Sequence, residues 1–208
     1  MLKVGLTGGV ACGKSTVGQL FAARGAQVVR ADEIAHRLMA PGQPVYQEIL
    51  RHFGRGVVNP DGAINRQKLA EAAFGGGRVE ELNRIAHPAV IAHQDRWMAE
   101  MGARDPGAVV MVEAALILEA GVEDRFEKLV VVTCRPEQKV ERFAERQGIS
   151  EETARLEVER RSAAQRPDEE KVRAADFVID NSGTLADTAR QVDAVFAKLK
   201  KLAEGQSH

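Results

Sequence analysis

The stretch Met-Leu-Lys-Val-Gly-Leu-Thr-Gly-Gly-Val-Ala-Cys-Gly-Lys-Ser-Thr, residues 1–16, decides the fold of this 208-residue chain. An apolar run over residues 2–6 predicts a buried strand, and residues 16–23 carry apolar side chains at helical spacing. The fixed positions of the pattern G-x-x-x-x-G-K-[ST] are filled by Gly8, Gly13, Lys14 and Ser15. Because strand, glycine loop and helix come in the order that the pattern requires, the sequence predicts a phosphate-binding loop.

The residue types of this loop explain its chemistry. Glycines let successive backbone N–H groups turn inward around a phosphate chain without Cβ clashes, and the following helix adds the positive end of its dipole. The pattern predicts that Lys14 bridges the terminal phosphates and that the Ser15 hydroxyl binds magnesium. A glycine-rich turn without a ligand is the alternative, and the full spacing after a strand argues against it.

Composition narrows the class of protein. The formal net charge of −1 gives no attraction to nucleic acids or to membrane surfaces. No apolar run approaches the roughly 20 residues of a membrane span, and the first strand begins at the N-terminus, which predicts no signal or transit peptide. The two cysteines, Cys12 and Cys134, stand far apart in the sequence and fit no zinc motif. We therefore expect a reducing, cytoplasmic setting without a disulfide framework.

Cys12 carries a prediction of its own. It lies in the loop beside Lys14 and just before a helix N-terminus, and both features favour a thiolate. We expect a thiol that reacts readily when the loop is empty and slowly when nucleotide is bound, and an inert small side chain is the alternative. Because Cys134 is predicted near the same edge of the sheet, a disulfide between the two cysteines stays open.

Apolar runs and helical spacing alternate along the rest of the chain. Further strands are predicted at residues 28–29, 108–112, 129–134 and 177–179. Helices are predicted at residues 33–39, 45–53 and 64–74, at 79–101 with an interruption at His87-Pro88, within 135–173 with a break at Arg166-Pro167-Asp168, and at 185–202. This alternation predicts an α/β fold with a doubly wound, parallel, five-stranded sheet, and residues 41 to about 101 are predicted to be a helical insertion in a single domain of residues 1–208.

In such a sheet, ligands gather at the carboxyl ends of the strands. Two acidic residues follow predicted strands at that edge. Asp32 follows the second strand and stands near the start of a helix, so it is placed either to cap that helix or to take part in chemistry. Glu113 ends the third strand. An acid at that position can hold a magnesium-bound water, and the alternative is a side chain that faces solvent.

Beyond the loop, the sequence resembles the dephospho-coenzyme A kinase family from residue 1 to about residue 190. The segments that carry the resemblance are residues 5–17, Ala31-Asp32-Glu33-Ile34-Ala35, His87-Pro88, Leu116-Ile117-Leu118-Glu119, Arg142, Arg146, Arg161, Gln165, Lys171 and residues 175–183. Together these segments are far more specific than the loop alone.

Several positions depart from the family pattern. Arg30 replaces the first acid of the usual D-A-D, which leaves an acidic pair incomplete, and His36 replaces an arginine that is common after I-A. Ala115 replaces a proline, and Glu113 stands where aspartate is common. None of these changes affects the loop or Asp32.

The resemblance implies roles for individual residues. It makes Asp32 the base that accepts the proton of the substrate hydroxyl. It makes Arg146 and Arg161 catalytic arginines of a lid, about residues 142–171, that closes over the migrating phosphate and excludes water. A solvated helix surface paired with neighbouring glutamates is the alternative for these arginines.

The resemblance also implies where the substrates bind. It places residues 181–183 at the adenine of ATP, with a plain turn as the alternative, and it gives the helical insertion room for the pantetheine arm of coenzyme A. His87-Pro88 falls in that lobe, where a structural bend in a helix explains it almost as well. Trp97 on the same stretch is expected to pack within the lobe.

With this resemblance, the sequence predicts a P-loop kinase that uses ATP and Mg²⁺ to phosphorylate the ribose 3′-hydroxyl of dephospho-coenzyme A, the last step of coenzyme A biosynthesis. The predicted catalytic residues are Lys14, Asp32, Arg146 and Arg161. The predicted nucleotide-binding residues are Gly9, Val10, Ala11, Cys12, Gly13, Lys14, Ser15, Thr16, Asn181 and Gly183, and the predicted metal ligands are Ser15 and Glu113. The expected partner is the small-molecule substrate, with no nucleic acid and no membrane.

Two other functions compete with this interpretation. Another small P-loop kinase would act on a nucleoside monophosphate or a similar acceptor. A GTP-dependent switch would need a guanine motif, and no N-K-x-D follows a strand in this sequence.

Overall fold

The apolar runs form one sheet of five parallel strands within residues 1–205, which the computed structural model describes apart from the side chain of Phe74. The strands are β1 (Leu2–Gly8), β2 (Gln27–Arg30), β3 (Val109–Glu113), β4 (Lys128–Thr133) and β5 (Phe177–Asp180). Their order across the sheet is β2-β3-β1-β4-β5. Every residue of β3 is buried, which is typical of a parallel strand covered on both faces. The predicted fold class is therefore confirmed.

Nine helices connect these strands within the described residues. They are α1 (Lys14–Ala22), α2 (Ala31–Leu38), α3 (Pro44–Phe53), α4 (Arg66–Gly75), α5 (Val79–Arg104), α6 (Pro136–Gln147), α7 (Glu151–Ala163), α8 (Asp168–Ala174) and α9 (Leu185–Gly205). The chain divides into two compact units, one of residues 1–29 and 100–208 and one of residues 30–99. Among residues 1–205, no helix combines the length and the apolar character that a membrane crossing requires.

The core of the first unit lies between the sheet and its helices. On one face, Phe21 of α1 and Phe196 of α9 lie 6.5 Å apart between ring centroids and pack on the side chains of β1 and β4. On the other face, Ile117 and Leu118 of the loop after β3 cover Leu129 of β4. Burying these apolar side chains is the main stabilising contribution to the unit.

The second unit consists of helices and loops, with one isolated antiparallel bridge between Val58 and Ile64. Its core contains Ile49 and Leu69, which are fully or almost fully buried. Residues 41–99 contain α3, α4 and most of α5, and the compact unit begins at Arg30.

The predicted interruption at His87-Pro88 is wrong, because α5 runs through it without a break. Proline removes one backbone N–H and crowds the preceding turn, which costs about 3 kcal/mol or more in a helix interior. Leu82, Ile85 and Ala89 flank Pro88 on both sides and pack against the core of the second unit. This packing holds the helix together across the proline.

Helices α6 and α7 share a small core of their own with the phosphate loop. Phe143 and Val140 of α6 and Val158 of α7 are buried together with Val10 of the loop. The predicted break at residues 166–168 is present, between α7 and α8. The loop and the first two of the three helices between β4 and β5 are thus packed as neighbours.

A buried ion pair ties α8 to the loop that follows β3. Lys171 has no exposed surface, and its Nζ lies 2.9 Å from a carboxylate oxygen of Glu119 and donates to Oε1 of Gln165 at 2.8 Å. The same carboxylate accepts the backbone N–H of Arg166 at 2.9 Å. Removing one partner of a buried pair leaves an uncompensated charge and costs about 3–5 kcal/mol.

Candidate active site

The phosphate loop follows β1 and precedes α1, and its backbone requires glycine at two positions. Gly8 and Gly13 have φ angles of 153° and 86°. A Cβ atom at Gly8 would lie 2.2 Å from the carbonyl oxygen of Val132, and one at Gly13 would lie 2.2 Å from Nδ2 of Asn181. Both substitutions would force backbone or buried side chains apart, so the two glycines of the pattern are steric requirements of this loop.

Within the loop, each predicted residue has a distinct position. Ala11 has a left-handed φ of 55°, a conformation that is uncommon outside glycine and clusters at functional sites. Cys12 and Val10 are buried, whereas Thr16 is exposed on the first turns of α1. The Lys14 ammonium folds back over the loop and donates to the carbonyl oxygens of Gly8 and Gly9, at 3.0 and 2.9 Å.

The two predicted metal ligands meet. Ser15 Oγ donates to Oε1 of Glu113 at 2.6 Å, and Glu113 is only 7% exposed. Glu113 therefore does not face solvent, which was the alternative for this residue. Both groups offer oxygen atoms, the ligand type that Mg²⁺ prefers. Among residues 1–205 no cluster of three or more histidine, cysteine or acidic side chains is placed to bind a metal.

Asn181, directly after β5, stabilises the phosphate loop through hydrogen bonds of its side chain. Its Nδ2 donates to the carbonyl oxygen of Cys12 at 2.8 Å, and its Oδ1 accepts from the hydroxyl of Thr188 at 2.8 Å. Its own carbonyl oxygen accepts from Arg142 at 2.9 Å. Sequence reasoning missed this bracing because the bonds join residues far apart in the chain.

Gly183 lies two residues further along the same loop and is exposed. A Cβ there would lie 2.9 Å from a carboxylate oxygen of Asp187, one of the first residues of α9. The close approach allows the loop to pass directly into α9.

The two predicted lid arginines come together on one aromatic ring. Arg146 of α6 and Arg161 of α7 place their guanidinium carbons 5.5 and 5.0 Å from the ring centroid of Phe143. Arg161 also lies 3.3 Å from Glu157. Both arginines are exposed at the surface, and stacking on the ring orients their guanidinium groups.

Lys139 of α6 and Asp168 of α8 form an ion pair beside Gly9, which sequence reasoning did not find. A Cβ at Gly9 would lie 2.7 Å from Oδ1 of Asp168, 3.1 Å from Sγ of Cys12 and 3.2 Å from Nζ of Lys139. Burial is the largest single influence and lowers the pKa of Lys139, but the hydrogen bond with Asp168 and the charges of Cys12, Asp168 and Cys134 together raise that pKa above its usual value. The pair also lines a cleft of about 340 Å³ between the helices after β4.

Asp32 lies in the second unit, as the second residue of α2. The helix is capped at Arg30, and the exposed Asp32 carboxylate makes no hydrogen bond to any residue of the described range 1–205. A capping role is therefore not what the side chain performs, although its charge is favourable near the helix N-terminus.

Comparisons with known proteins identify the family of the chain. A family model described as dephospho-CoA kinase matches residues 2–187. The chain belongs to the dephospho-CoA kinase family. It is 38% identical over 201 residues to a dephospho-CoA kinase of Corynebacterium glutamicum, a match that covers 96% of this chain and 98% of that relative. The dephospho-CoA kinase of Aquifex aeolicus is also 38% identical, with coverage of 97% and 99%.

Solved structures resemble this kinase over nearly their whole length. A crystal structure from Thermus thermophilus has a TM-score of 0.77 at 33% identity and covers 95% of this chain and 97% of its own. The dephospho-CoA kinase from Campylobacter jejuni has a TM-score of 0.68 at 25% identity, with coverage of 96% and 97%. The family activity is the ATP-dependent phosphorylation of dephospho-CoA to CoA, and the chain is a kinase of this type.

Proposed function

We propose that this kinase transfers the γ-phosphate of ATP to the ribose 3′-hydroxyl of dephospho-CoA with the residues gathered around the phosphate loop. The observation that carries the proposal is the joint placement of Lys14 across the loop and of Ser15 against Glu113. Phosphoryl transfer depends mainly on positioning and on positive charge at the phosphates, and this arrangement supplies both.

The loop binds the phosphate chain through its backbone. In this proposal, residues 9–16 wrap the phosphates, and Lys14 leaves the carbonyl oxygens of Gly8 and Gly9 to bind the terminal phosphates. An ammonium is a point charge with three donors, so it can exchange carbonyl oxygens for phosphate oxygens without rebuilding the loop.

Mg²⁺ completes the site. The Ser15 hydroxyl would be its direct ligand, and Glu113 would hold Ser15 or a metal-bound water in place. When bound, the ion neutralises charge that develops on the phosphate oxygens. The fit rests on the 2.6 Å contact between these two oxygen ligands.

Asp32 is the proposed general base. It follows the edge strand β2 after one residue, and its carboxylate has no structural hydrogen bond among residues 1–205 that would occupy it. An ionised carboxylate can accept the proton of the 3′-hydroxyl as the bond to phosphorus forms. The same carboxylate orients the hydroxyl for attack.

The arginines beyond β4 form the proposed lid, about residues 142–171. Arg146 and Arg161 share the ring of Phe143 on the surface of the α6–α7 pair, which itself packs on Val10 of the loop. A movement of this pair over bound ATP would deliver positive charge to the migrating phosphate and exclude water.

The remaining assignments concern the substrates. We assign the loop of Asn181 and Gly183 to the adenine of ATP, with the backbone as the contact, because the Asn181 amide is engaged with Cys12 and Thr188. The helical residues 41 to about 101 accommodate the pantetheine arm of dephospho-CoA. The protein acts in the cytoplasm on this small molecule, without nucleic acid or membrane partners.

One assay tests the proposal. Purified protein with Mg²⁺ and ATP is given dephospho-CoA, nucleoside monophosphates, shikimate or no acceptor, and ADP release is measured. We expect release that depends on dephospho-CoA, with the new phosphate found on the ribose 3′ position by NMR. Equal release with every acceptor, or a phosphate at another position, would contradict the proposal.

A further inference from the structure

The two cysteines of the chain lie in contact with each other. Cys12 stands in the middle of the phosphate loop with no exposed surface, and Cys134 follows β4 with 9% exposure. The two Sγ atoms are 3.2 Å apart, and the thiol of Cys134 donates to Cys12. The residues are separated by 122 positions in the sequence, so the fold alone brings them together.

Only a small movement separates these thiols from a covalent bond. A disulfide needs its sulfur atoms about 2.05 Å apart, so the pair has to close by about 1 Å from its present 3.2 Å. Both cysteines are free. The contact therefore holds two reduced sulfurs close to bonding distance.

The surroundings of Cys12 favour its reactive form. The hydrogen bond from Cys134 lowers the pKa of Cys12 to about 7, against the effect of burial and with help from the charge of Lys139. The same hydrogen bond and burial raise the pKa of Cys134. At neutral pH Cys12 thus has substantial thiolate character while its neighbour keeps its proton, which is the division of roles between an attacking and a resolving thiol.

Solvent comes close to the pair, because Cys134 is 9% exposed. Lys139 and Asp168 line the cleft beside the loop. Both side chains also lie close to Gly9, as Cys12 does, because atoms of all three are 2.7–3.2 Å from the position that a Cβ of residue 9 would take. Hydrogen peroxide is hardly larger than water, so it can enter this cleft, and a local opening of the loop would bring it to the fully buried Cys12.

We propose that Cys12 and Cys134 form a reversible disulfide when a peroxide oxidises the protein, and that this bond inactivates the phosphate loop. The inference rests on the proposed role of the loop in binding ATP. It adds a modification site to the kinase.

The chemistry balances in two steps. The Cys12 thiolate attacks one peroxide oxygen, the O–O bond breaks, hydroxide leaves and takes up a proton as water, and Cys12 becomes a sulfenic acid. The sulfur of Cys134 then attacks the Cys12 sulfur, the S–S bond forms and the S–O bond breaks, and the departing hydroxide leaves with the Cys134 proton as a second water. The two sulfurs lose two electrons, which reduce the peroxide.

The bond acts on the loop because Cys12 is part of its turn. Its carbonyl oxygen accepts from Asn181, and Ala11 beside it has a left-handed backbone, so the loop has little freedom to absorb a pull toward β4. A displacement of about 1 Å at groups that position a reacting phosphate can lower a rate about 10²-fold. We expect a loss of this order on full oxidation.

The experiment compares the wild type with Cys134→Ser and Cys134→Ala, both of which keep Cys12 in the loop. Each protein is treated with hydrogen peroxide, and a portion is then reduced with dithiothreitol. Peptide mapping without reduction locates the disulfide, and ADP release with dephospho-CoA reports activity. We expect the wild type to form the Cys12–Cys134 peptide, to lose activity about 10²-fold and to regain it on reduction.

The two variants give the controls. They should start with activity near that of the untreated wild type and should form no linked peptide on oxidation. Because dithiothreitol also reduces a Cys12 sulfenic acid, the disulfide is assigned from the linked peptide and not from the recovery of activity alone. A wild type without the linked peptide, or with the linked peptide and undiminished activity, would overturn the inference. The peptide map is independent of turnover, so the failure of the proposed activity would be seen separately, in the untreated protein.

Discussion

Lys14 is the single charge that the loop holds at the predicted position of the terminal phosphates, and its present partners are backbone carbonyls. Replacing it with alanine removes a phosphate contact and leaves no core side chain missing. We expect Lys14→Ala to lower turnover by about 10²–10³-fold or more while the protein stays folded. Steady-state kinetics and circular dichroism measure the two effects.

The exposed Lys201 of α9 provides the matched control, since Lys201→Ala removes the same charge far along the chain. Near-normal turnover in a folded Lys14→Ala protein would remove the basis of the proposed function.

Replacing Asp32 tests whether its carboxylate is the general base for the 3′-hydroxyl. Asparagine keeps the size of the side chain and loses its basicity, so Asp32→Asn should lower turnover by about 10²–10⁴-fold with little change in melting temperature or ATP affinity. The neighbouring Glu33, which pairs with Arg30 at 2.8 Å, gives the control variant Glu33→Gln. If Asp32→Asn destabilises the protein and leaves turnover per folded molecule intact, the base lies elsewhere.

Individual residues differ in how well the sequence predicts them. Gly8, Gly13, Lys14 and Ser15 are predictable because the loop pattern is local and each residue meets a steric or chemical requirement there. The bracing role of Asn181 and the Lys139–Asp168 pair are not, because both depend on contacts made only after distant elements have packed. The chemical roles assigned to Asp32, Arg146 and Arg161 remain predictions.

At the scale of elements, the lid arginines make a testable prediction. Arg161 stacks on Phe143 in the present structure, and the proposal places it on the phosphate mainly in the reacting state. Arg161→Ala should therefore lower kcat more than it weakens ATP binding. Arg155, exposed on the same helix α7, gives the control Arg155→Ala. An unchanged kcat with only a raised KM would identify Arg161 as ordinary surface charge.

Glu81 links two helices of the second unit in a way that depends on pH. The carboxylate of Glu81, in α5, lies 2.7 Å from Arg78 just before that helix and 2.6 Å from His52 of α3. The hydrogen bonds with Arg78 and His52 lower the pKa of Glu81 from 4.5 to about 2. A depressed pKa means that the stabilisation is present above pH 4.5 and is lost as the pH falls toward 2.

The expected result is that Glu81→Gln is less stable than the wild type at pH 7 and that the difference shrinks as the pH falls from about 4.5 to about 2. Urea unfolding at several pH values measures it, and the exposed neighbour Glu80 supplies the control Glu80→Gln. A difference that stays constant over this range would exclude the ion pair as its source.

The sequence predicted most helices and strands and the break at residues 166–168, but it failed at His87-Pro88. Continuous apolar runs and glycine or proline punctuation gave strand and helix positions within a few residues, because these signals are local. The continuity of α5 across Pro88 could not be predicted in this way. It depends on packing with residues of other helices, which overrides the local preference of proline.

For the whole molecule, ligand binding should raise the free energy of unfolding and the melting temperature. A ligand that binds only the folded state adds about 2.7 kcal/mol at a concentration 100 times its Kd, which raises the melting temperature by roughly 5–10 °C for a chain of this size. We expect Mg²⁺-ATP to produce a shift of this order in the wild type and a much smaller one in Lys14→Ala. Thermal unfolding followed by fluorescence measures it, and equal shifts in both proteins would place ATP away from the loop.

The buried pair of Lys171 and Glu119 has a consequence for how this sequence can change over generations. Neither residue can be replaced alone without a large loss of stability, because a single replacement leaves the opposite charge buried and unpaired. Two matched apolar replacements avoid that penalty, since a well-packed apolar pair is often as stable as a buried ion pair. The two positions are therefore expected to diverge in step, as one inherited unit, even though 51 other residues separate them in the sequence.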